Sequence, residues 1–272
     1  MIEAGAPGID GLVDLHNHVI PGVDDGASNV DESRAALAAL QGAGVTALVA
    51  TPHLKGSLTH EPEAFEARLR ELDAGWERLT ALAAAEFPAL HLGRGVELML
   101  DTPKPDLSDP RLRLAGGSFV LLEFPFMVVP PRSVHAIAEL RMQGWKPVIA
   151  HPERYSGVDR RLEIVGEWRR CGGILQVNVG SLAGRYGEEA RLRAEALLER
   201  GWVDLLASDY HAREKLMIGV AYARLKEMGA EEQARMLLVT NPRRLLDGEE
   251  PIPVRPCAPQ RSFWQRLRKV FR

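Results

Sequence analysis

His16 and His18, in Asp14-Leu15-His16-Asn17-His18, are the first side chains of this sequence whose type and spacing could hold an ion. On an extended segment, residues two apart project to the same side, so both imidazoles can face one cation at a strand's end. The apolar lead-in over 11–13 reads as a short buried strand, and Pro21-Gly22 turns the chain so that Asp24 and Asp25 can come back toward the histidines. Two histidines alone are more often separately hydrogen-bonded residues. The rest of the chain changes that balance. Apolar runs of strand length are followed by His53 after Thr51-Pro52, by Glu97, by Glu123, by His151 and by Ser208-Asp209-Tyr210-His211.

The elements that must position these side chains alternate in type. Leu37, Leu40 and Ala43 mark one side of a helix over 31–43, with Gly42 and Gly44 at its end. The β-branched run 45–50 predicts a strand that delivers His53. Phe65, Leu69, Leu72, Trp76, Leu79 and Leu82, at steps of three and four, predict a long helix over 62–86 with its apolar stripe in the core. Further strands are expected over 90–97, 118–123, 146–150, 173–178 and 203–207, and helices over 134–143, 161–170, 188–200, 214–228 and 231–239. Such alternation implies a parallel sheet, and in barrels of this kind the loops at the carboxyl ends of the strands form the site. All but one of the seven predicted strands end in His, Asp or Glu while their bodies are apolar. Closed into a barrel, they would bring these side chains to one mouth as a polynuclear metal centre, whereas a single strand-end carboxylate is usually a loop residue or helix cap.

Composition fits that reading. A length of 272 residues with 46% hydrophobic content suffices for one enzyme-sized domain. A net charge of -3 and a pI near 6.3 give no nucleic-acid signature. No apolar run approaches the roughly 20 residues that span a bilayer. Two widely spaced cysteines argue against a disulfide scaffold, and the N-terminus lacks a basic, then apolar, leader pattern, so a cytoplasmic location is expected. Neither cysteine opens a Cys-x5-Arg nucleophile loop: Val177 stands six places after Cys171, and no arginine stands six after Cys257.

The runs DLHNHVIPGVDDG, VATPHL, GVEL, LLEF, AHPERY and ASDYH resemble, in order, the successive motifs of the PHP (polymerase and histidinol phosphatase) superfamily. PGVDDG, ATPH and HPERY resemble more narrowly the CpsB/CapC family of bacterial manganese-dependent protein tyrosine phosphatases, with coverage over 13–242. The resemblance implies an α/β fold, a distorted (β/α)7 barrel of the PHP type, with a trinuclear metal site at the C-terminal ends of its strands. On the matching positions, His16, His18, Glu97 and Asp209 would surround the first ion. Glu97 would bridge to a second ion held by Glu123 and His151, and Asp25, His53 and His211 would hold the third. Imidazole with carboxylate suits manganese, iron or zinc better than magnesium or calcium, and the resemblance selects Mn2+.

Clustered ions of this kind hydrolyse phosphate esters without a protein nucleophile. Arg154, in His151-Pro152-Glu153-Arg154-Tyr155, could grip a phosphate oxygen through its fork of donors or form a salt bridge. The family's last motif ordinarily continues with an asparagine and an arginine a few residues on. Here Ala212 takes the asparagine's position and Arg213 follows at once as the second candidate clamp. Asp24 is expected to orient a loop or a ligand histidine, and Asn178 to hydrogen-bond at the sixth strand's end. Tyr155 and Tyr210 would pack beside an aromatic leaving group or beneath the motif, and His60, His91 and His135 would lie on the surface.

The barrel is expected over 1–245 and a basic tail over 246–272. From Arg255 onward there are six basic residues and no acidic ones, with Phe263, Trp264, Leu267, Val270 and Phe271 along one helical side. This tail reads either as an interfacial helix on anionic lipid or as a helix docked on the barrel or on a neighbouring subunit of a homo-oligomer. The resemblance implies a tyrosine-phosphorylated protein as substrate, a membrane-bound bacterial tyrosine kinase controlling capsule or exopolysaccharide synthesis. The protein would then work at the inner face of the membrane. Three alternatives stand beside this. A histidinol-phosphatase-like phosphomonoesterase is opposed by PGVDDG and HPERY, and a PHP nuclease module by the acidic body. A non-catalytic scaffold of polysaccharide export is opposed by the complete ligand set, since clustered carboxylates without cations repel one another.

Overall fold

The computed structural model describes residues 9–257. Its strands are β1 (Leu12–Asp14), β2 (Asn17–His18), β3 (Val45–Ala50), β4 (His53–Lys55), β5 (His91–Arg94), β6 (Glu97–Met99), β7 (Phe119–Glu123), β8 (Lys146–Ala150), β9 (Ile174–Asn178), β10 (Leu205–Ala207) and β11 (Tyr210–His211). Every ladder is parallel, in the orders β1-β3-β5, β10-β9-β8-β7-β6-β4 and β11-β2. The eleven segments fill seven positions, because β1/β2, β3/β4, β5/β6 and β10/β11 are each one strand interrupted by two residues. The pairing of β11 with β2, His211 opposite His18, closes the ring. The architecture is the distorted (β/α)7 barrel.

Single hydrogen bonds carry the ladders across the interruptions: Thr51 N–H to the Asn17 carbonyl (2.9 Å), Gly95 N–H to that of Ala50 (3.0 Å), Glu97 N–H to that of Pro52 (3.0 Å) and Asp209 N–H to that of His16 (2.8 Å). Pro52 has no N–H to give to a ladder, so the β3/β4 break follows from its residue type. The strand expected in one piece over 90–97 is interrupted at Gly95-Val96.

Strand alternation sorts the apolar side chains into two clusters. Val13, Val49, Phe119, Leu121, Val148, Ile174 and Leu205 fill the barrel, while their neighbours Leu12, Leu48, Val120, Leu122, Ile149, Leu175 and Leu206 face the surrounding helices. These helices are α1 (Val30–Gly42), α2 (Pro62–Glu86), α3 (Ser133–Met142), α4 (Glu163–Arg170), α5 (Val179–Leu182), α6 (Glu188–Glu199), α7 (Ile218–Glu227), α8 (Glu231–Arg235) and α9 (Asn241–Leu246). Helix α1 starts where the Asn29 side chain accepts from the Glu32 N–H. Helix α2 buries Leu69, Leu72, Leu79 and Leu82 as its stripe predicts. Gly75 lets α2 close on the loop after β2, because a Cβ there would come within 2.7 Å of Ile20 and Val23.

Two expectations are revised at the C-terminal side. The helix expected over 231–239 does not stop there: α8 passes through a π-turn, Met236–Thr240, into α9. The Asn241 N–H reaches the Met236 carbonyl, and this wider turn accommodates Pro242, which lacks an N–H and would crowd the carbonyl four residues back in a regular helix. Residues 248–257, expected as the start of the tail, lie against the barrel. Asn241 holds both the Ile252 carbonyl and its N–H (2.9 Å each), and the Cys257 N–H donates to the Leu198 carbonyl at 2.8 Å. The amphipathic run over 260–272 lies outside the described residues. Cys171 and Cys257 are unpaired. Among the described residues no helix is long and apolar enough to cross a membrane.

Candidate metal centre

Strand interruptions and strand ends deliver the polar side chains. His16 lies between β1 and β2 and Asp209 between β10 and β11, His53 opens β4, Glu97 opens β6, Glu123 closes β7, His151 follows β8, and His211 closes β11. His151 and Asp209 hold left-handed backbone conformations, with φ of 35° and 49°. Each such non-glycine conformation costs ~1–3 kcal/mol and persists only where its surroundings over-determine it.

Three groups form. His16 Nε2 is 3.0 Å from Glu97 Oε2 and 3.4 Å from Asp209 Oδ1, and His18 Nε2 is 3.4 Å from each of the same oxygens. His53 Nδ1 is 3.2 Å from Glu97 Oε2 and 3.1 Å from Glu123 Oε1, while His151 Nε2 is 2.8 Å from Glu97 Oε1. Asp25 Oδ1 is 3.5 Å from His53 Nε2 and 3.3 Å from His211 Nε2, and His18 shares that group. The nine residues singled out from the sequence thus come together. Two groupings differ from the expected ones: His53 faces the Glu97–Glu123 pair with one nitrogen and Asp25 with the other, and His18 belongs to both the first and third groups. An imidazole offers two nitrogens on different edges, and strand spacing does not say which edge is used.

The cluster fits divalent cations. His53 Nδ1 and Glu123 Oε1 are buried 3.1 Å apart, yet neither has a hydrogen-bond partner, as for donors aimed at a shared ion. His151 Nδ1 is likewise buried without a partner. Ligand atoms lie within 4.8 Å of one another in three sets, His16, His18, Glu97 and Asp209, then His53, Glu97 and Glu123, then His18, Asp25, His53 and His211, so that His53 stands where His151 was expected and His151 meets the cluster through Glu97. The mix of nitrogen and carboxylate oxygen suits borderline transition ions. Charge points the same way. Burial alone would lower His16, but the charges of Glu97 and Asp209 carry it up to about 9. Burial likewise opposes ionisation of Glu97 and Asp209, and the histidines around them hold both below the usual carboxylate range. The hydrogen bond with His211 first, and then nearby histidine charge, depresses Asp25 to about 2. Positive charge on imidazoles thus offsets the carboxylates, and ions that bind such sites displace those protons.

A surrounding layer fixes the candidate ligands. Gln176 Oε1 lies 2.8 Å from His16 Nδ1, which leaves His16 Nε2 for the site. Gln176 Nε2 donates to Asn178 Oδ1 (2.8 Å), and Asn178 Nδ2 donates to Asp209 Oδ2 (2.6 Å). Asp24 Oδ2 holds His18 Nδ1 at 2.8 Å, and a Cβ at Gly26 would overlap the His18 carbonyl. Arg68 Nη2 donates to the Val23 and His53 carbonyls (2.8 and 3.0 Å), which ties two ligand-bearing loops to α2. Asp14 accepts from Ser208 N–H and Oγ, which fastens β1 to the end of β10. Gln176, Arg68 and Asp14 were not singled out from the sequence. Gln176 carried a signal, a polar residue in an apolar strand in phase with Asn178; Arg68, on the polar side of a helix, carried none.

Arg154 Nη1 donates to Asp209 Oδ2 at 2.7 Å, and its guanidinium lies 4.0 Å from the centre of the Tyr186 ring. The salt bridge therefore forms, and it uses one of the five donors. Arg213 is exposed and donates to the Asp25 carbonyl and Ser28 Oγ (3.0 and 3.1 Å), which ties it to the Asp25 loop. Tyr155 is fully buried beneath His151, and its phenol oxygen accepts from the Phe124 N–H. Tyr210 is buried too. His60, His91 and His135 are exposed.

Residues 12–247 match the profile of a family described as "Capsular polysaccharide synthesis, CpsB/CapC". The chain is 30% identical over 244 residues to the tyrosine-protein phosphatase YwqE of Bacillus subtilis, covering 84% of this chain and 91% of that one. It is also 30% identical over 253 residues to the tyrosine-protein phosphatase CpsB of Streptococcus pneumoniae, covering 86% and 98%. A crystal structure from work on these two proteins, described there as unique metal-dependent tyrosine phosphatases, matches with a TM-score of 0.76 at 25% identity, over 92% of this chain and all of that one.

Proposed function

The chain belongs to the CpsB/CapC family, and from that premise we propose that it is a metal-dependent protein tyrosine phosphatase that removes phosphate from tyrosine on a partner protein. The observation that carries this reading is the convergence of five histidines and four carboxylates at one barrel mouth, with Arg154 beside them. His16, His18, Glu97 and Asp209 would hold one ion, Glu97 and Glu123 with His151 or His53 a second, and Asp25, His53 and His211 a third. Manganese is the proposed metal, with iron or zinc compatible with the same donors. Such ions supply Lewis acidity that activates water and neutralises the phosphoryl oxygens.

The chain's own residues do the rest. Arg154, oriented by Asp209 and by the face of Tyr186, keeps donors free for a phosphate oxygen. Gln176 and Asp24 hold His16 and His18 so that their opposite nitrogens face the centre. Arg213 steadies the Asp25 loop and would meet the substrate only from the rim. The family's link to capsular polysaccharide synthesis supports a bacterial tyrosine kinase of that process as partner, at the inner face of the membrane. The basic tail is proposed as a membrane or subunit contact.

Chelator-stripped protein resupplied with manganese, iron, zinc or magnesium tests this directly. Phosphate release from phosphotyrosine, restored best by manganese, is the expected result. Preference for histidinol phosphate would replace the substrate class, and no release with any ion would remove the enzymatic reading.

A further inference from the structure

Next to the metal cluster a cavity of about 590 Å³ opens, within the ~300–1,000 Å³ of small-ligand pockets. His53 and Glu123 of the cluster line it, together with Leu54, Lys55, Leu58 and Met99. Leu58 and Met99 are half-buried, and neither belongs to either core cluster, so they face the cavity rather than the protein interior. Arg68 lines it as well, but its guanidinium is taken up by the Val23 and His53 carbonyls and by Glu71. The lining is therefore mixed: His53 and Glu123 of the cluster, the exposed Lys55, and the apolar side chains Leu54, Leu58 and Met99. Once the cluster holds cations, a ligand with an anionic head and a flat apolar body matches this lining. A hydroxyl or imidazole set against Leu58 and Met99 would be desolvated there, at a cost that an aryl ring does not incur.

We infer that this cavity is the aryl subsite of the centre, that it takes the ring of the substrate's phosphotyrosine, and that Leu58 and Met99 set the preference for aryl over alkyl phosphomonoesters. The identity of the substrate rests on the phosphatase reading above, whereas the shape and polarity of the subsite do not. The ring makes the same contacts before and during hydrolysis, so shortening its wall should raise KM and leave kcat nearly unchanged.

Two measurements on the manganese-loaded full chain test it: calorimetric binding of phenylphosphonate against methylphosphonate, and hydrolysis of phosphotyrosine against phosphoserine. The unsubstituted protein should bind the phenyl compound more tightly, and Leu58→Ala and Met99→Ala should each cut that preference about threefold or more, the equivalent of losing roughly one buried methylene contact. Metal content should not change. Leu58→Trp, which fills the cavity, should raise KM for phosphotyrosine and leave phosphoserine unaffected. Equal phenyl and methyl binding in the unsubstituted protein, or equal losses on both substrates in all three variants, would overturn the subsite. Retained phenyl preference without hydrolysis of either ester would instead overturn the phosphatase reading and leave the subsite standing.

Discussion

The mouth and the floor of this barrel are built from the same strands, one pleat apart. On β7, Phe119 and Leu121 point into the apolar floor and Glu123, next in phase, points into the centre. On β9, Ile174 belongs to the floor, while Gln176 and Asn178 reach His16 and Asp209. The floor is apolar and continuous. The mouth has paired charges, two left-handed residues and buried atoms without hydrogen-bond partners. A step of ~7 Å along a strand thus separates side chains that hold the barrel together from side chains that create demand for a ligand. If that separation is real, substitutions on the two levels should affect different measurements.

Leu121→Ala gives the largest effect. Leu121 is 1% exposed and lies in register with Glu97 on one side and Val148 on the other. A buried leucine truncated to alanine loses ~2–5 kcal/mol, from transfer and from the cavity left behind. Urea unfolding should register that loss, while metal stoichiometry and KM stay unchanged in the folded fraction. A proportional fall in metal content would show that floor and mouth move as one unit.

The floor and the convergence of the candidate ligands were legible in the sequence for the same reason: strand-length apolar runs carry period two, and all but one end where a ligand type appears. His53 after Pro52 and His151 after Ala150 needed no tertiary information, and the α2 stripe matched its burial. The four interruptions were not legible, because among the residues at them only Pro52 carries the break in its chemistry. The two-sided use of His18 and His53 was hidden because spacing does not say which imidazole edge is used. The docking of 248–257 has no periodicity to read; it depends on Asn241, whose side chain finds the Ile252 backbone.

Carboxylates sharpen the comparison, because Glu97 and Asp209 within the cluster and Asp204 at the opposite end are shifted in opposite directions. Glu97 and Asp209 are held low at the mouth, whereas at the opposite end burial pushes Asp204 up to about 6, against the Leu175 N–H and the Arg169 charge that favour its ionised form. A carboxyl raised from 3.8 to about 6 binds more protons folded than unfolded through that window. Stability is therefore lost as pH rises through it, and the full loss, ~3 kcal/mol at most, persists above it. Asp204→Asn keeps an acceptor for the Leu175 N–H without the charge. Urea midpoints should show a gain over the unsubstituted protein that is small near pH 4 and grows to ~2 kcal/mol near pH 7.5. A gain of equal size at both pH values would assign the effect to packing instead of charge.

Gln176→Leu puts the floor's chemistry into the mouth, and its effect should be the smallest and the most selective. Gln176 accepts from His16 Nδ1, which directs the other nitrogen to Glu97 and Asp209, and it donates to Asn178, which in turn donates to Asp209. Leucine has similar bulk and removes both bonds, so His16 is free to rotate or change tautomer and Asp209 loses indirect support. Residues that orient ligands in this way are typically worth ~10–100-fold in metal affinity, and competition against a chelator with manganese as titrant reads that loss. The unfolding midpoint of the metal-free protein should move less than in Leu121→Ala, since no cavity is opened. Gln176→Glu retains the acceptor for His16 and loses the donor to Asn178, and should fall between the two. If Gln176→Leu binds manganese as tightly as the unsubstituted protein, the ions alone orient His16, and the polar step on β9 has no part in the separation between floor and mouth.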